Sequence, residues 1–257
     1  MKRKKKSKVL IIIVGIILII TISGLLFIYY KSTNKNKLAE TIVDQNNDNN
    51  INNNEKEETV DDLYINPLPE YRNQYNNPYI MAKLEIPSLN INSLVTRYTD
   101  NSFYLENNIY NQRDGIGVPF FDYRDTDLKN AKQINIYGHN TTNPDIMNQL
   151  PFINLEKYLE ENTFKNDKDV FLSIDEKRIR YKVIAVKVIE GSDNEHMKLV
   201  FHNNEDFLVH VSKLLQRTTY KDSMLEITSS DQLLIMQVCH YNPVNTYLLV
   251  ICQRINS

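Results

Sequence analysis

The feature that most constrains this chain is an uncharged apolar run at residues 9–30, VLIIIVGIILIITISGLLFIYY. As an α-helix, a run of this length spans roughly 30 Å, which is the thickness of the hydrocarbon core of a bilayer. A cleaved signal peptide has a shorter apolar region, about 7 to 15 residues, and ends in small residues. This run ends in bulky residues, Phe27 to Tyr30. The sequence therefore predicts one uncleaved transmembrane helix over residues 9–30.

Charge is distributed unevenly along the chain. The chain has 30 Lys and Arg against 32 Asp and Glu, and six of the basic residues precede residue 9. Such a basic tail, residues 1–8, predicts a cytoplasmic N-terminus and therefore an extracellular location for everything after the helix. The remainder of the chain is acidic and lacks the basic face that nucleic-acid binding requires, so we predict no nucleic-acid partner.

The rest of the chain divides by composition into a stalk and one folded domain. Residues 31–61 are rich in Asn, Lys and Glu and contain no aromatic residue. They show no sustained apolar period that could offset the entropy of ordering, which predicts a flexible stalk. Residues 62–257 are within the size range of a single domain.

Strand patterns dominate the predicted domain. Three helices are also predicted, over residues 68–77, 153–161 and 204–217. Many strands with few helices favour a mainly β (α+β) fold, a closed or nearly closed barrel with helical insertions. The predicted strands cover residues 80–86, 91–97, 133–137, 170–174, 179–188, 232–239 and 247–255.

Two cysteines, Cys239 and Cys252, can be placed by the spacing of the last two predicted strands. If these strands form a hairpin whose first pair is Cys239 with Tyr247, Cys252 lies opposite Leu234. It is then about 16 Å along the strand from Cys239, beyond the Cα separation of about 7 Å that a disulfide allows. We therefore predict no disulfide, a buried Cys252, and a reactive thiol at Cys239, which ends its strand beside the loop YNPVN.

A reactive thiol needs a proton acceptor, and two histidines compete for that role. His240 follows Cys239 directly, but successive strand residues face opposite sides of a sheet. His139 follows the strand pattern QINIY through Gly138, a residue expected to let the backbone turn. We therefore favour the pair Cys239 and His139, although spacing alone does not establish it.

No cofactor motif accompanies these residues. The pair Gly115 and Gly117 lacks the third glycine of a dinucleotide loop, and there is no Walker loop, HExxH or CxxC. His196, His202 and His210 have no cysteine or carboxylate at metal-binding spacing and are expected to be surface or satisfied histidines. We predict no cofactor and no metal site.

Several segments resemble a known family. The segment IYGHN at 136–140 resembles the YGHN signature around the catalytic histidine of sortases, the membrane-anchored cysteine transpeptidases of Gram-positive bacteria. Residues 100–105 and 117–124, followed by the His139 segment, an amphipathic helix and the Cys239 strand, are similar to class B sortases in order and spacing. The resemblance implies an eight-stranded sortase barrel, a nucleophile at Cys239, a catalytic histidine at His139 and a substrate-groove residue at Asn101.

The sequence departs from the sortase pattern at two places. Sortases usually have TLxTC up to the nucleophile, whereas this chain has IMQVC at 235–239. The arginine that the family places at the start of the last strand is Tyr247 here. Arg254 lies roughly 23 Å further along the strand and on its opposite face. Three explanations stay open: a different register, another arginine (Arg97, Arg113 or Arg124), or a hydrogen bond from the Tyr247 hydroxyl.

The resemblance implies a cysteine transpeptidase of the cell membrane. Such an enzyme cleaves the C-terminal sorting signal of secreted proteins through a thioester and passes them to an amine of a peptidoglycan precursor, with hydrolysis as a side reaction. Two alternatives remain: transfer to a pilin lysine, and a catalytically weak protein of the same fold that binds sorting peptides. Some relatives use calcium, but the acidic stretches 122–127 and 167–169 are expected to be solvated loops.

Overall fold

The structure is a computed structural model that describes residues 65–224 and 226–255. The predicted tail, transmembrane helix and stalk, residues 1–61, lie outside the described residues. Within the described part of the chain, none of the helices is both long enough and apolar enough to cross a membrane.

The strands form one sheet that closes into a barrel. Their order is β5-β1-β2-β3-β4-β8-β9-β6-β7, and β5 also pairs with β6, so eight strands make a closed ring and β7 lies outside it along β6. The predicted eight-stranded barrel is therefore confirmed. The strands are β1 Ile80–Ile86, β2 Ile91–Thr96, β3 Phe120–Phe121, β4 Gln133–Gly138, β5 Asp169–Ile174, β6 Lys177–Glu190, β7 Tyr220–Lys221, β8 Leu233–His240 and β9 Thr246–Arg254.

Two of these strands were not predicted. β3 and β7 have two residues each, too few to show the alternation of apolar and polar residues that identifies a strand. Their pairing depends on neighbours that are distant in the sequence. β3 pairs with β2 and β4, and β7 pairs with β6.

In the described part of the chain, three α-helices accompany the strands: α1 Leu68–Tyr75, α2 Glu161–Asn166 and α3 Asn204–Leu214. The predicted helix over 153–161 is instead a 3₁₀ helix, Ile153–Leu159, that ends at an extended Glu160 before α2 begins. α3 begins where the sequence predicts. The Asn203 side chain accepts a hydrogen bond from the Asp206 N–H, the usual N-cap contact.

Alternation along β8 and β9 divides their side chains between two apolar layers. Even-numbered residues of both strands, such as Met236 and Val250, lie in the core of the barrel. Odd-numbered residues, such as Ile235 and Ile251, pack with Phe207, Val211 and Leu214 of α3 in an outer cluster. This division places Cys239 in the outer series of its strand.

Candidate active site

Cys239 and His139 lie at the ends of two neighbouring strands. β4 and β8 are parallel, and their register runs from Gln133 opposite Leu233 to Gly138 opposite Val238. His139 and Cys239 follow directly after this last pair, on the same side of the sheet by alternation, and neighbouring strands lie about 4.8 Å apart. The register therefore leads, at the ends of two adjacent strands, to the two residues that the sequence proposed as a pair.

The β8–β9 hairpin has the register that the sequence predicted. Cys239 is opposite Tyr247 and Cys252 is opposite Leu234. Both cysteines are free, as predicted; Cys239 is half-buried and Cys252 is buried. The observed register also removes the first explanation for the missing arginine, because Tyr247 is the residue that faces the position of Cys239.

A backbone carbonyl orients the His139 ring. Its Nε2 atom lies 2.7 Å from the Leu105 carbonyl oxygen, which can only accept, so Nε2 carries a proton. In the neutral ring the lone pair is then on Nδ1, which is the atom able to take a proton. Leu105 thus determines which ring nitrogen of His139 can act as a base.

Glycines on two sides of His139 allow this packing. Gly117 has a φ of +64°, and a Cβ atom there would lie 2.5 Å from the Tyr104 carbonyl oxygen and 3.0 Å from His139 Cδ2. The expectation that Gly138 supplies a turn is wrong, because Gly138 is the last residue of β4. Its role is steric: a Cβ atom there would lie 2.6 Å from the ring of Phe152.

The surroundings of the Cys239 thiol disfavour its ionisation. Burial raises the pKa of the Cys239 thiol, and a hydrogen bond from its own backbone N–H offsets this effect only in part. No cation among the described residues contributes to lowering that pKa. Formation of the thiolate therefore requires a proton acceptor, and His139, at the end of the adjacent strand, is the candidate.

The arginines that the sequence offered as substitutes bind elsewhere. Arg97 donates to the Asp125 carbonyl oxygen, and Arg113 pairs with Glu106 at 3.4 Å. Arg124 forms a two-pronged pair with Asp122, at 2.8 and 2.7 Å. Arg254 lies at the far end of β9, opposite Tyr181 of β6, and donates to the Lys129 carbonyl oxygen.

His240 faces away from Cys239, as strand alternation predicts. Its Nδ1 atom lies 2.8 and 3.1 Å from the two carboxylate oxygens of Glu156, and its Nε2 atom lies 2.6 Å from the Asn242 carbonyl oxygen. Asn140 joins the same carboxylate, since its Nδ2 atom donates to Glu156 Oε1 at 2.8 Å and to the Cys239 carbonyl oxygen at 2.9 Å. Sequence reasoning missed Glu156, for which no local pattern exists.

Asn101 lies beside the segment that follows β3. Its Oδ1 atom accepts a hydrogen bond from the Tyr123 N–H at 2.9 Å. The neighbouring Asp122 is buried and also accepts from the Tyr137 hydroxyl at 2.9 Å. Tyr137 is two residues before His139, so this segment approaches the strand that carries the histidine.

The acidic stretch 122–127 is not the solvated loop that the sequence predicted. Asp122 and Asp125 are both buried. Asp122 is neutralised by Arg124, and Asp125 accepts the Asn135 N–H at 2.8 Å. Among the described residues, no group of three or more His, Cys, Asp and Glu is placed to hold a metal ion.

His196 and His210 are buried rather than exposed. Burial lowers the pKa of both rings. His210 contacts Glu195 and Gln133, whereas His196 contacts Gln237 at 2.6 Å and leaves its Nδ1 atom without a partner. Both ring nitrogens of His210 therefore have hydrogen-bond partners, as expected, whereas one ring nitrogen of His196 has none.

Comparison with known proteins identifies the fold. No family model matches the chain. A curated relative, sortase B of Listeria monocytogenes, is 27% identical over 164 residues, 63% of this chain, and the match spans 63% of that protein's length. A crystal structure of Clostridium perfringens sortase B has a TM-score of 0.67 at 25% identity, and the match covers 74% of this chain and 100% of that one.

A third comparison supports the fold alone. A Staphylococcus aureus sortase B–substrate complex has a TM-score of 0.64 at 17% identity, and the match covers 76% of this chain and 87% of that one. Taken together, the comparisons confirm the resemblance that the sequence carries: this chain is similar to sortases of class B in sequence and in fold.

Proposed function

We propose that this chain, which has the sortase fold and resembles class B sortases, is a membrane-anchored cysteine transpeptidase. It cleaves a C-terminal sorting signal of secreted proteins and transfers the protein to a cell-wall amine. The observation that supports this proposal is the parallel register of β4 and β8, whose last pair, Gly138 and Val238, directly precedes His139 and Cys239. A thiol beside an oriented imidazole is the arrangement that nucleophilic catalysis by cysteine needs.

The reaction proceeds in two acyl transfers. The Cys239 thiol gives its proton to His139 Nδ1 as the sulfur attacks the scissile carbonyl carbon of the sorting peptide. His139 then protonates the leaving amine, the peptide bond breaks, and a thioester on Cys239 remains. The incoming amine loses a proton to His139, attacks the thioester and regenerates the thiol. Water in place of the amine gives hydrolysis.

The negative charge that develops on the substrate carbonyl oxygen needs a hydrogen-bond donor. The arginine that sortases have at the start of the last strand is Tyr247 in this chain. Tyr247 stands opposite Cys239 in the β8–β9 ladder, so its hydroxyl is the proposed donor. A tyrosine offers one neutral hydrogen bond where an arginine offers a charged fork. Loss of one oxyanion donor typically costs about 10² to 10³ in turnover, so we expect a slow enzyme.

The N-terminal residues would deliver the domain to its substrates. Residues 9–30 would anchor the chain in the membrane, and residues 31–61 would act as a tether with a random-coil span of roughly 30 Å. The domain would then work on the outer face of the membrane, where secreted proteins and lipid-linked peptidoglycan precursors pass. The Staphylococcus aureus sortase B solved with a substrate supports peptide binding by this fold.

Mass spectrometry of the full chain tests the proposal. The chain, purified in a mild detergent, is mixed with a panel of sorting-motif peptides, with Cys239→Ala as the control. We expect an adduct on Cys239 whose mass equals the N-terminal fragment of one peptide, absent in the variant. Adducts that persist in Cys239→Ala would contradict the assignment of the nucleophile.

A second candidate is a peptide-binding protein of the same fold with little turnover. The observation that favours it is the combination of Tyr247 opposite Cys239 with the engagement of Arg97, Arg113 and Arg124 elsewhere. Fluorescence anisotropy with labelled sorting peptides separates the candidates. Micromolar binding without any adduct, while iodoacetamide still labels Cys239, would favour the binding protein.

A further inference from the structure

One carboxylate holds the residues that directly follow both Cys239 and His139. Glu156 accepts from Asn140 Nδ2 at 2.8 Å and lies 2.8 Å from His240 Nδ1. We propose that Glu156 is a positioning residue, which sets the separation of the Cys239 thiol from the His139 ring through Asn140 and His240. The effect of Glu156 on catalysis rests on the proposed function. Its effect on the separation of Cys239 and His139 does not, because that separation exists without substrate.

The two strands need such a connection because their ladder ends before the site. The last paired residues of β4 and β8 are Gly138 and Val238. His139 is already outside β4, so main-chain pairing no longer controls its distance from Cys239. Beyond that point the strand ends are joined through a side chain, with Asn140 Nδ2 donating to the Cys239 carbonyl oxygen at 2.9 Å.

Glu156 is itself supported by an element that belongs to the barrel core. It lies on the 3₁₀ helix Ile153–Leu159, whose Leu155 and Tyr158 are fully buried. Asn154, two residues before Glu156, donates from Nδ2 to the Leu89 carbonyl oxygen at 3.0 Å. The carboxylate is therefore held by an element distinct from β4 and β8 and anchored in the barrel core, which allows it to align both strand ends.

The contacts of His240 also tie this network together. Both nitrogens of His240 face acceptors, Glu156 at Nδ1 and the Asn242 carbonyl oxygen at Nε2. Both contacts are hydrogen bonds only when the ring carries two protons, and the Glu156 carboxylate then balances the charge. Replacing Glu156 would leave a buried imidazole and the Asn140 amide without their shared acceptor.

A disulfide trap measures the separation directly and needs no catalysis. In the full chain, His139→Cys combined with Cys252→Ala leaves two thiols at neighbouring strand ends, within the Cα range that a disulfide accepts. Oxidation with diamide is followed by mass spectrometry, and circular dichroism confirms the fold of each variant. We expect rapid formation of an intramolecular disulfide, slowed at least tenfold by the further change Glu156→Ala. Glu160→Ala, an exposed carboxylate at the end of the same 3₁₀ helix, is the matched control and should leave the rate unchanged.

Each result decides the inference. An equal trapping rate with and without Glu156→Ala would overturn it, as would the absence of trapping in the parent variant, because the two positions would then not be neighbours. If Glu156→Ala fails to fold, Glu156→Gln replaces it. Glutamine keeps one acceptor oxygen and should give an intermediate rate, whereas a parent-like rate would contradict the proposal.

Kinetics in the otherwise native chain test the catalytic consequence. Glu156→Ala should lower the rate of acylation by a sorting peptide about tenfold or more while the Kd of the peptide stays within about twofold, with partial rescue by Glu156→Gln. A change confined to Kd would argue against positioning. If the native chain forms no acyl-enzyme, the proposed function fails, but the disulfide trap still decides the role of Glu156.

Discussion

At the scale of single residues, the site depends on close packing around His139. The ring is bonded to the Leu105 carbonyl oxygen, and Gly117 lies against it with no room for a side chain. An added methyl group at Gly117 would meet backbone on one side and the ring on the other. The position of the His139 ring is therefore coupled to a glycine 22 residues earlier in the chain.

Gly117→Ala should damage both stability and acyl transfer. Its φ of +64° costs an L-residue roughly 1–2 kcal/mol, and the contact with His139 Cδ2 would displace the ring. We expect urea unfolding to show a loss of that size and acylation to slow by about tenfold or more. Gly115→Ala is the matched control, because a Cβ atom at Gly115 meets nothing within 4 Å. Similar behaviour of the two variants would contradict this account.

Tyr247 gives the second prediction at this scale. If its hydroxyl stabilises the oxyanion, Tyr247→Phe should slow acylation by about 10² or more with no loss of stability. Tyr247→Arg should accelerate acylation, because a guanidinium is the stronger donor. Single-turnover mass spectrometry measures both rates. An unchanged rate in Tyr247→Phe would mean that another group fills the role.

At the scale of elements, the segment after β3 shows how burial changes the behaviour of charged residues. Asp125 is buried and its carboxylate accepts the Asn135 N–H of β4. Burial raises the pKa of Asp125 to about 7, although the hydrogen bond from Asn135 acts in the opposite direction. The segment is thereby attached to the strand that leads to His139, at an energetic cost that depends on pH.

Asp125→Asn should therefore change how stability depends on pH. Because the pKa of Asp125 is raised in the folded state, its proton favours folding below about pH 4, and this contribution disappears as the pH rises through about 7. We expect the native chain to lose up to about 4 kcal/mol relative to Asp125→Asn over that interval. Urea unfolding at pH 4, 5.5 and 7.5 measures the difference, and parallel curves for the two proteins would disprove it.

At the scale of the whole molecule, closure of the barrel separates the two cysteines. They lie on opposite faces of the sheet, with Cys239 half-buried at a strand end and Cys252 buried in the core. Burial raises the pKa of the Cys252 thiol as well. The two thiols should therefore differ sharply in reactivity although they belong to the same hairpin.

Thiol titration tests this arrangement. With Ellman's reagent at neutral pH, the native chain should expose one thiol, and the second should react only after unfolding in guanidinium. Cys239→Ala should abolish the native reaction, and a reducing agent should leave the Tm unchanged because no disulfide is present among the described residues. Two thiols reacting at equal rates in the native chain would contradict the buried position of Cys252.

Local physics allowed much of the fold to be derived from the sequence. Runs of strand-forming residues identified seven of the nine strands in the described part of the chain. The short loop after Cys239 placed it opposite Tyr247, because pairing in a hairpin follows from contiguous residues. The alternation of side chains along a strand separated Cys239 from His240. The resemblance to sortases supplied the number of strands in the barrel and strengthened the choice of His139 as the partner of Cys239.

Only the tertiary structure decided which distant segments meet. β4 and β8 pair in parallel although Gly138 and Val238 are 100 residues apart in sequence, and no local pattern encodes that choice. No local pattern encodes the contact of Glu156 with Asn140 and His240 either, or the burial of Asp125. A residue's own strand and face depend on its immediate neighbours, whereas its partners and its exposure to water depend on how the whole barrel closes.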